Sequence, residues 1–145
     1  MLNVEPIEKG TVIDHIKAGM GAKVLKIMGI DDSSKHRVAL MMNAPSKKMG
    51  AKDIVKIAEK IITEKEANII ALISPGATVN IINNSKVEKK YTVDLPQKLD
   101  GIGICPNPNC ITNSESDIKR IFTKEGEDDY RCYFCERVFK AKELV

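Results

Sequence analysis

The sequence has no tryptophan, and aromatic residues make up only 4% of its 145 positions. A chain so poor in large rings gains less burial per residue, so its core has to rest on Ile, Val, Leu and Met. The longest unbroken apolar runs, Ile69–Ile73 and Val38–Met42, are five residues each, far short of the roughly 20 residues that cross a bilayer. Residues 1–10 lack the apolar centre of a signal peptide. The expectation is a cytoplasmic protein with no membrane partner. There thiols stay reduced, and cysteines bind metal more readily than they pair as disulfides. Residues 1–104 contain no cysteine at all.

Hydrophobic residues reach 43%, enough for a globular core, and charged residues 30%. The net charge of +3 is unevenly spread. Residues 1–95 carry 15 Lys and Arg against 11 Asp and Glu, whereas residues 96–145 carry 8 against 9. Thr11–Ile16 and Val38–Met42 read as strands. Between them Met20, Val24, Ile27 and Met28 recur at helical spacing and stop at Gly29. Ile54, Ile57, Ala58, Ile61 and Ile62 fit a second amphipathic helix. Ile69–Ile73 then reads as a buried strand ended by Ser74-Pro75-Gly76, and Thr78–Asn83 with Val87–Val93 as a hairpin around Asn84-Ser85-Lys86. This order suggests an α+β chain: a ferredoxin-like α/β sandwich over residues 1–95, then a small metal-bound β domain over 96–145. The stretch from Leu95 to Gly101, with its Pro and Gly, marks the boundary.

All four cysteines follow that boundary, as Cys105-Pro-Asn-Pro-Asn-Cys110 and Cys132-Tyr-Phe-Cys135. Two close pairs separated by 21 residues can bring four sulfurs to one tetrahedral ion. Both histidines, His15 and His36, lie elsewhere, so one structural zinc on four cysteines is the simplest assignment. Four thiolates leave Zn²⁺ no open position and a formal charge of −2, which Lys119, Arg120, Arg131 and Arg137 are near enough in sequence to offset. A redox Cys-x-x-Cys would leave the other pair unexplained.

Lys52, Lys56 and Lys60 would share one face of the expected second helix. By spacing alone that is an ordinary solvated lysine face, although like charges so placed repel slightly and a bound polyanion would relieve the repulsion. Asp14-His15 at a strand end suits either a sugar contact or a half-exposed strand pair.

Val4-Glu5-Pro6-Ile7, Gly10-Thr11-Val12-Ile13-Asp14-His15-Ile16, Asn43-Ala44-Pro45-Ser46, Met49-Gly50-Ala51-Lys52-Asp53 and Ala77-Thr78-Val79-Asn80, followed by Cys105-Pro-Asn-Pro-Asn-Cys110-Ile111, resemble the regulatory chain of aspartate carbamoyltransferase. The likeness runs in order through nearly the whole sequence. It implies an N-terminal domain that binds the nucleotide triphosphates CTP and ATP, and a zinc domain that docks on a separate catalytic chain. It also implies regulatory homodimers that bridge catalytic trimers in pyrimidine biosynthesis. By position, Ile7, Val12, Asp14, His15, Lys56, Asn80, Ile82, Val87 and Lys90 fall where the family contacts the effector. Lys56 and Lys90 would meet phosphates, Asp14 and Asn80 the sugar or base, and Ile7, Ile82 and Val87 would wall the pocket. Ser85 departs from a tyrosine that a well-known member has near the base. The resemblance puts the metal on Cys105, Cys110, Cys132 and Cys135.

No nucleophile–base pair, phosphate loop or open metal site is apparent, so a chain without catalytic residues is expected. The alternative is a zinc-ribbon nucleic-acid binder, which calls for a basic zinc domain with stacking aromatics. The acidic balance of residues 96–145 argues against nucleic acid as a partner.

Overall fold

The computed structural model describes residues 7–145; Val4, Glu5 and Pro6 of the first matching stretch lie outside them. The chain forms two compact units that part between Asp94 and Leu95.

In the first unit the order is β1 (Gly10–Lys17), α1 (Gly21–Ile27), β2 (Val38–Ser46), β3 (Gly50–Ala58), α2 (Glu64–Ile73), β4 (Thr78–Asn83) and β5 (Lys86–Thr92). The sheet order is β2-β3-β1-β4-β5, antiparallel throughout. Two interleaved strand–helix–strand units give the expected ferredoxin-like arrangement, with β5 added at one edge. Ile13, Val55, Ile57 and Val79 are wholly buried and alternate along β1, β3 and β4 with partly exposed neighbours. That alternation is the mark of a sheet with one covered face. Helix α1, with Val24 buried and Met28 buried at its C-terminal cap, packs on β2, β3 and α2. It ends where expected: Gly29 has φ +78°, and the Gly29 and Ile30 amides bond back to the Lys26 and Leu25 carbonyls.

Two elements differ from the sequence reading. Residues 54–58 belong to strand β3, not to a helix. Val55, which the helical stripe leaves out, is fully buried together with Asp53 and Ile57, a period of two. The β-branched run Ile54-Val55 and Ile57 suits a strand between two neighbours. Conversely, Ile69–Ile73 is the second half of helix α2. Its start is written at Thr63, whose hydroxyl accepts the Glu66 amide at 3.1 Å while the Glu66 carboxylate accepts the Thr63 amide at 2.9 Å, a capping box. The apolar run has no helical period because Ile70, Ala71, Leu72 and Ile73 are all buried.

Asp53 is fully buried, and its carboxyl gathers three backbone donors: the amides of Gly19 at 3.0 Å, Gly21 at 2.8 Å and Asn43 at 2.9 Å. It thereby joins the β1–α1 turn to an irregularity in β2, where Asn43 adopts φ +57°. The approach is so close that a Cβ at Gly21 would lie 3.0 Å from the carboxyl oxygen.

The second unit is a meander of β6 (Lys98–Asp100), β7 (Ile121–Lys124), β8 (Asp129–Cys132) and β9 (Val138–Lys140), with α3 (Ile111–Ser114) between β6 and β7 and a closing 3₁₀ turn, Ala141–Leu144. Five of the six Phe and Tyr residues fall in this unit, so the expectation of an aliphatic core holds only for the first. Phe122, Tyr130, Leu99 and Leu144 are wholly buried, and the Tyr130 hydroxyl donates to the Pro96 carbonyl at 2.6 Å.

Replacing Asp53 with Ala strands three amide donors in or near the core. Leaving buried donors unmade costs about 1–3 kcal/mol each. Asp53→Ala should therefore lower the urea midpoint of the first unit's circular-dichroism transition by an amount equivalent to about 3 kcal/mol or more. An unchanged midpoint would refute the clamp.

Candidate metal centre and sheet-face site

The two cysteine loops are shaped before any ion is considered. In the first, the Asn107 side chain accepts the Asn109 amide at 3.0 Å, and the Asn107 carbonyl accepts the Cys110 amide at 3.1 Å. The Asn113 carboxamide donates to the carbonyls of Cys105 at 2.9 Å and Asn107 at 2.8 Å. In the second, the Cys132 carbonyl accepts the Glu136 amide, and Glu136 takes φ +65° so the chain can turn back into β9.

The turns bring together all four sulfurs that the sequence selected. The Cys105–Cys135 and Cys110–Cys132 Sγ distances are both 3.7 Å, and all four sulfurs lie within 4.8 Å of one another. A tetrahedral ion with bonds of about 2.3 Å to sulfur requires edges of roughly 3.8 Å. A disulfide requires about 2.05 Å. The spacing is therefore that of a ligand set, not of oxidised pairs. Cys105, Cys110 and Cys132 are buried and Cys135 is half-buried. Burial pushes the Cys110 thiol up, but its contact with the Thr112 hydroxyl at 3.1 Å and the Thr112 amide outweigh burial and bring it down to about 7. Thr112, Asn107 and Asn113 belong to this site although the sequence reading passed over them. Their only signal is polar, turn-forming side chains inside and just after the first cysteine pair.

The cations expected to offset the sulfur charge are partly engaged elsewhere. Lys119 pairs with Asp100 at 3.0 Å, and the Arg131 guanidinium with the Glu125 carboxylate. Arg120 donates to the Asn113 oxygen at 2.9 Å.

The second candidate site lies on the sheet face of the first unit opposite the helices. Because β1 is paired on both sides, register alone assembles it. Lys56 on β3 stands opposite Val12 on β1, Val12 opposite Asn80 on β4, and Asn80 opposite Lys90 on β5. The next row outward is Ala58, Gly10, Ile82 and Val87. Ile7 packs with Ala58 and Ile82, with Val12 against them. The segment that carries Ile7 is pinned at both sides. The Ser85 amide donates to the Glu8 carbonyl at 2.9 Å, and the Glu59 amide to Lys9 at 2.8 Å.

At the other end of the face, Asp14 and His15 form a bulge in β1, with His15 at φ +57°. The His15 ring nitrogen Nδ1 lies 3.2 Å from the Thr78 hydroxyl. Burial pushes the Asp14 carboxyl up, but bonds from the Lys52 ammonium and the His15 amide outweigh it and hold it below the usual carboxylate range. Asp14 is therefore ionised at neutral pH and paired with Lys52 at 3.0 Å. The single lysine face expected from helical spacing is not formed. Lys52 and Lys56 share this sheet face because they are four apart on a strand, while Lys60 lies beyond β3 and pairs with Glu66 at 3.3 Å. Lys90 and Val87 are exposed, and Lys56 is half-buried. The surface thus grades from apolar at Ile7, Ala58 and Ile82 to cationic and hydrogen-bonding at Lys56, Asn80 and Lys90.

Two family models divide the chain between them. Residues 2–94 match the aspartate carbamoyltransferase regulatory chain, allosteric domain, and residues 97–145 the metal-binding domain of the same chain. A regulatory chain from Pyrococcus horikoshii is 47% identical over 146 residues, covering 99% of this chain and 96% of its own length. Those from Pyrococcus furiosus and Methanothrix thermoacetophila are each 46% identical, the first covering 99% of this chain and 96% of its own length, the second 94% and 90%. With a metal-type four-cysteine cluster in one unit and full-length similarity across both, the chain belongs to the aspartate carbamoyltransferase regulatory-chain family and is a regulatory, not a catalytic, subunit.

Proposed function

We propose that this chain binds CTP and ATP on the open sheet face and holds one structural Zn²⁺ on its four cysteines. It would pair with a second copy and bridge catalytic trimers of a cytoplasmic aspartate carbamoyltransferase, so that nucleotides control pyrimidine synthesis at a distance. The observation that carries the reading is the cross-strand row Lys56–Val12–Asn80–Lys90 beside an apolar row that ends under Ile7. Three strand spacings put the two lysine backbones about 14 Å apart. Two long cationic side chains flanking that span suit a polyphosphate, which they would meet as point charges. The apolar end suits a base, and Asn80 and ionised Asp14 offer hydrogen bonds to base or ribose. His15 completes the polar end, and Val87 the apolar wall.

Zinc is the ion that best fits four thiolates in a closed tetrahedron, because it has no redox chemistry and accepts sulfur readily. Such an ion would link the two turns and leave no coordination position for catalysis. Docking on a catalytic chain is supported by the apolar groups exposed beside the cysteines. Tyr133, between the second pair, is 67% exposed, and Ile104 and Ile111, flanking the first pair, 57% and 48%. Pairing with a second copy is supported by edge strand β2, where Leu40 and Met42 are exposed.

Lys56→Ala and Lys90→Ala should each weaken CTP binding by roughly 10- to 100-fold in calorimetry at low salt. Each removes a charge-assisted contact of about 1.5–3 kcal/mol. The loss should shrink for cytidine and at high salt, because only the phosphate contacts are charged. CTP affinity equal to the parent chain in both variants would sink the nucleotide site and leave the zinc site standing.

Removing the metal with a strong chelator, or replacing Cys110 with Ala, should unfold the second unit while the first keeps its circular-dichroism signature. Structural zinc supplies roughly 10–16 kcal/mol in small peptides, more than a meander of this size can replace. Assembly with catalytic trimers should vanish with the metal. Tyr133→Ser should keep one zinc per chain yet weaken that assembly by roughly tenfold or more in sedimentation titrations. An unaffected assembly would move the docking surface elsewhere.

A further inference from the structure

Asn113 touches the first cysteine loop three times. Its backbone amide bonds to the Cys110 carbonyl at 2.9 Å. Both hydrogens of its carboxamide are spent on the carbonyls of Cys105 and Asn107, at 2.9 and 2.8 Å. The same side chain therefore ties the first ligand of the loop, the loop's middle and, through its own backbone, the second ligand. A carboxamide can do this in one orientation only, with nitrogen toward the loop, since its oxygen would repel two carbonyls.

Arg120 sets that orientation. Its Nη2 donates to the Asn113 oxygen at 2.9 Å. A guanidinium has no acceptor, so a flipped Asn113 would face donor with donor on one side and acceptor with acceptors on the other. Arg120 also precedes β7, and its carbonyl accepts the Gly101 amide at 2.7 Å at the end of β6. The carboxamide is thus referenced to the sheet as well as to the loop. The guanidinium is held there at a cost to stability, because its Nε is buried with no hydrogen-bond partner among the described residues. Thr112, at the neighbouring position, touches a sulfur directly, whereas Asn113 and Arg120 act on the loop's carbonyl scaffold.

We propose that Asn113 and Arg120 form a positioning couple that locks the Cys105–Cys110 loop around the metal and governs how fast the ion escapes, with Arg120 acting through Asn113. The proposal rests on metal occupancy of the four-cysteine site. Outer partners that orient ligand-bearing groups commonly alter metal affinity 10- to 100-fold.

The test is zinc release from the intact, zinc-loaded chain into an excess of coloured chelator. Asn113→Ala should release zinc roughly tenfold faster or more. Asn113→Asp, which turns an acceptor oxygen toward two carbonyls, should release it faster still. Arg120→Ala should accelerate release in the parent chain but add nothing in the Asn113→Ala background, a non-additivity that reports action through a shared contact. Cobalt-loaded Asn113→Ala should keep its thiolate charge-transfer bands while its ligand-field bands shift, a signature that a general loss of stability would not produce. If Asn113→Ala fails to retain metal, Arg120→Ala alone carries the test, since it leaves all four cysteines and Asn113 in place. Release from Arg120→Ala at the parent rate, or additive effects in the double variant, would overturn the proposal. A parent chain that binds no zinc would instead overturn the metal assignment, so the two failures are distinguishable.

Discussion

Strand β1 is hydrogen-bonded on both sides, to β3 and to β4, and the rest of the first unit follows from its register. With side chains alternating strictly, Ile13 faces the helices and Val12 faces away. A slip of one residue would exchange those faces, burying Lys56 and exposing Val55. Helix packing and the opposite surface are therefore not separate designs. Each apolar residue that secures α1 and α2 determines, one position along, which side chain appears on the open face. The bulge at Asp14-His15 is the local exception, and it re-aims the strand end where Asp14 meets Lys52.

The second unit solves a different problem. Its strands are three or four residues long, and such a meander buries little surface. Phe122 and Tyr130 supply the largest buried groups. What remains is closure of the two cysteine turns, which an ion provides by linking residues distant in sequence. The loops are nevertheless prepared by hydrogen bonds that involve no sulfur, through Asn107 and Asn113. Order in the peptide and ligation by metal reinforce each other.

Some of this was legible in residues alone. Cys105, Cys110, Cys132 and Cys135 declare their site by spacing, because a tetrahedron needs few ligands in tight turns. Gly29 and the Asn84-Ser85 turn, with φ +52° and +63°, are local chemistry and were read correctly. Residues 69–73 are helix where a strand is expected, because a short apolar run buried on every side carries no dependable period. Residues 54–58 are strand where a helix is expected, because the apolar set fits helical spacing although burial alternates at Asp53, Val55 and Ile57. The Thr63–Glu66 capping box was the local signal that separates them. The sheet-face row was not readable from spacing at all: Lys56, Val12, Asn80 and Lys90 meet only through antiparallel pairing, which no local pattern encodes. There the family resemblance supplied positions, and the register supplies the reason they are neighbours.

The placement of all four cysteines after the unit boundary also orders events during synthesis. Domains fold as they emerge, at about 5–20 residues per second. The first unit needs nothing encoded beyond Asp94 to complete its sheet. Cys135, the fourth cysteine of the cluster, is added roughly 2–8 seconds later at that pace, and until then no tetrahedral ligand set exists. A nascent chain therefore passes through a stage in which the sheet of its first unit is formed but its four-cysteine unit is not. Supply of the metal would then limit maturation of the second half without limiting folding of the first.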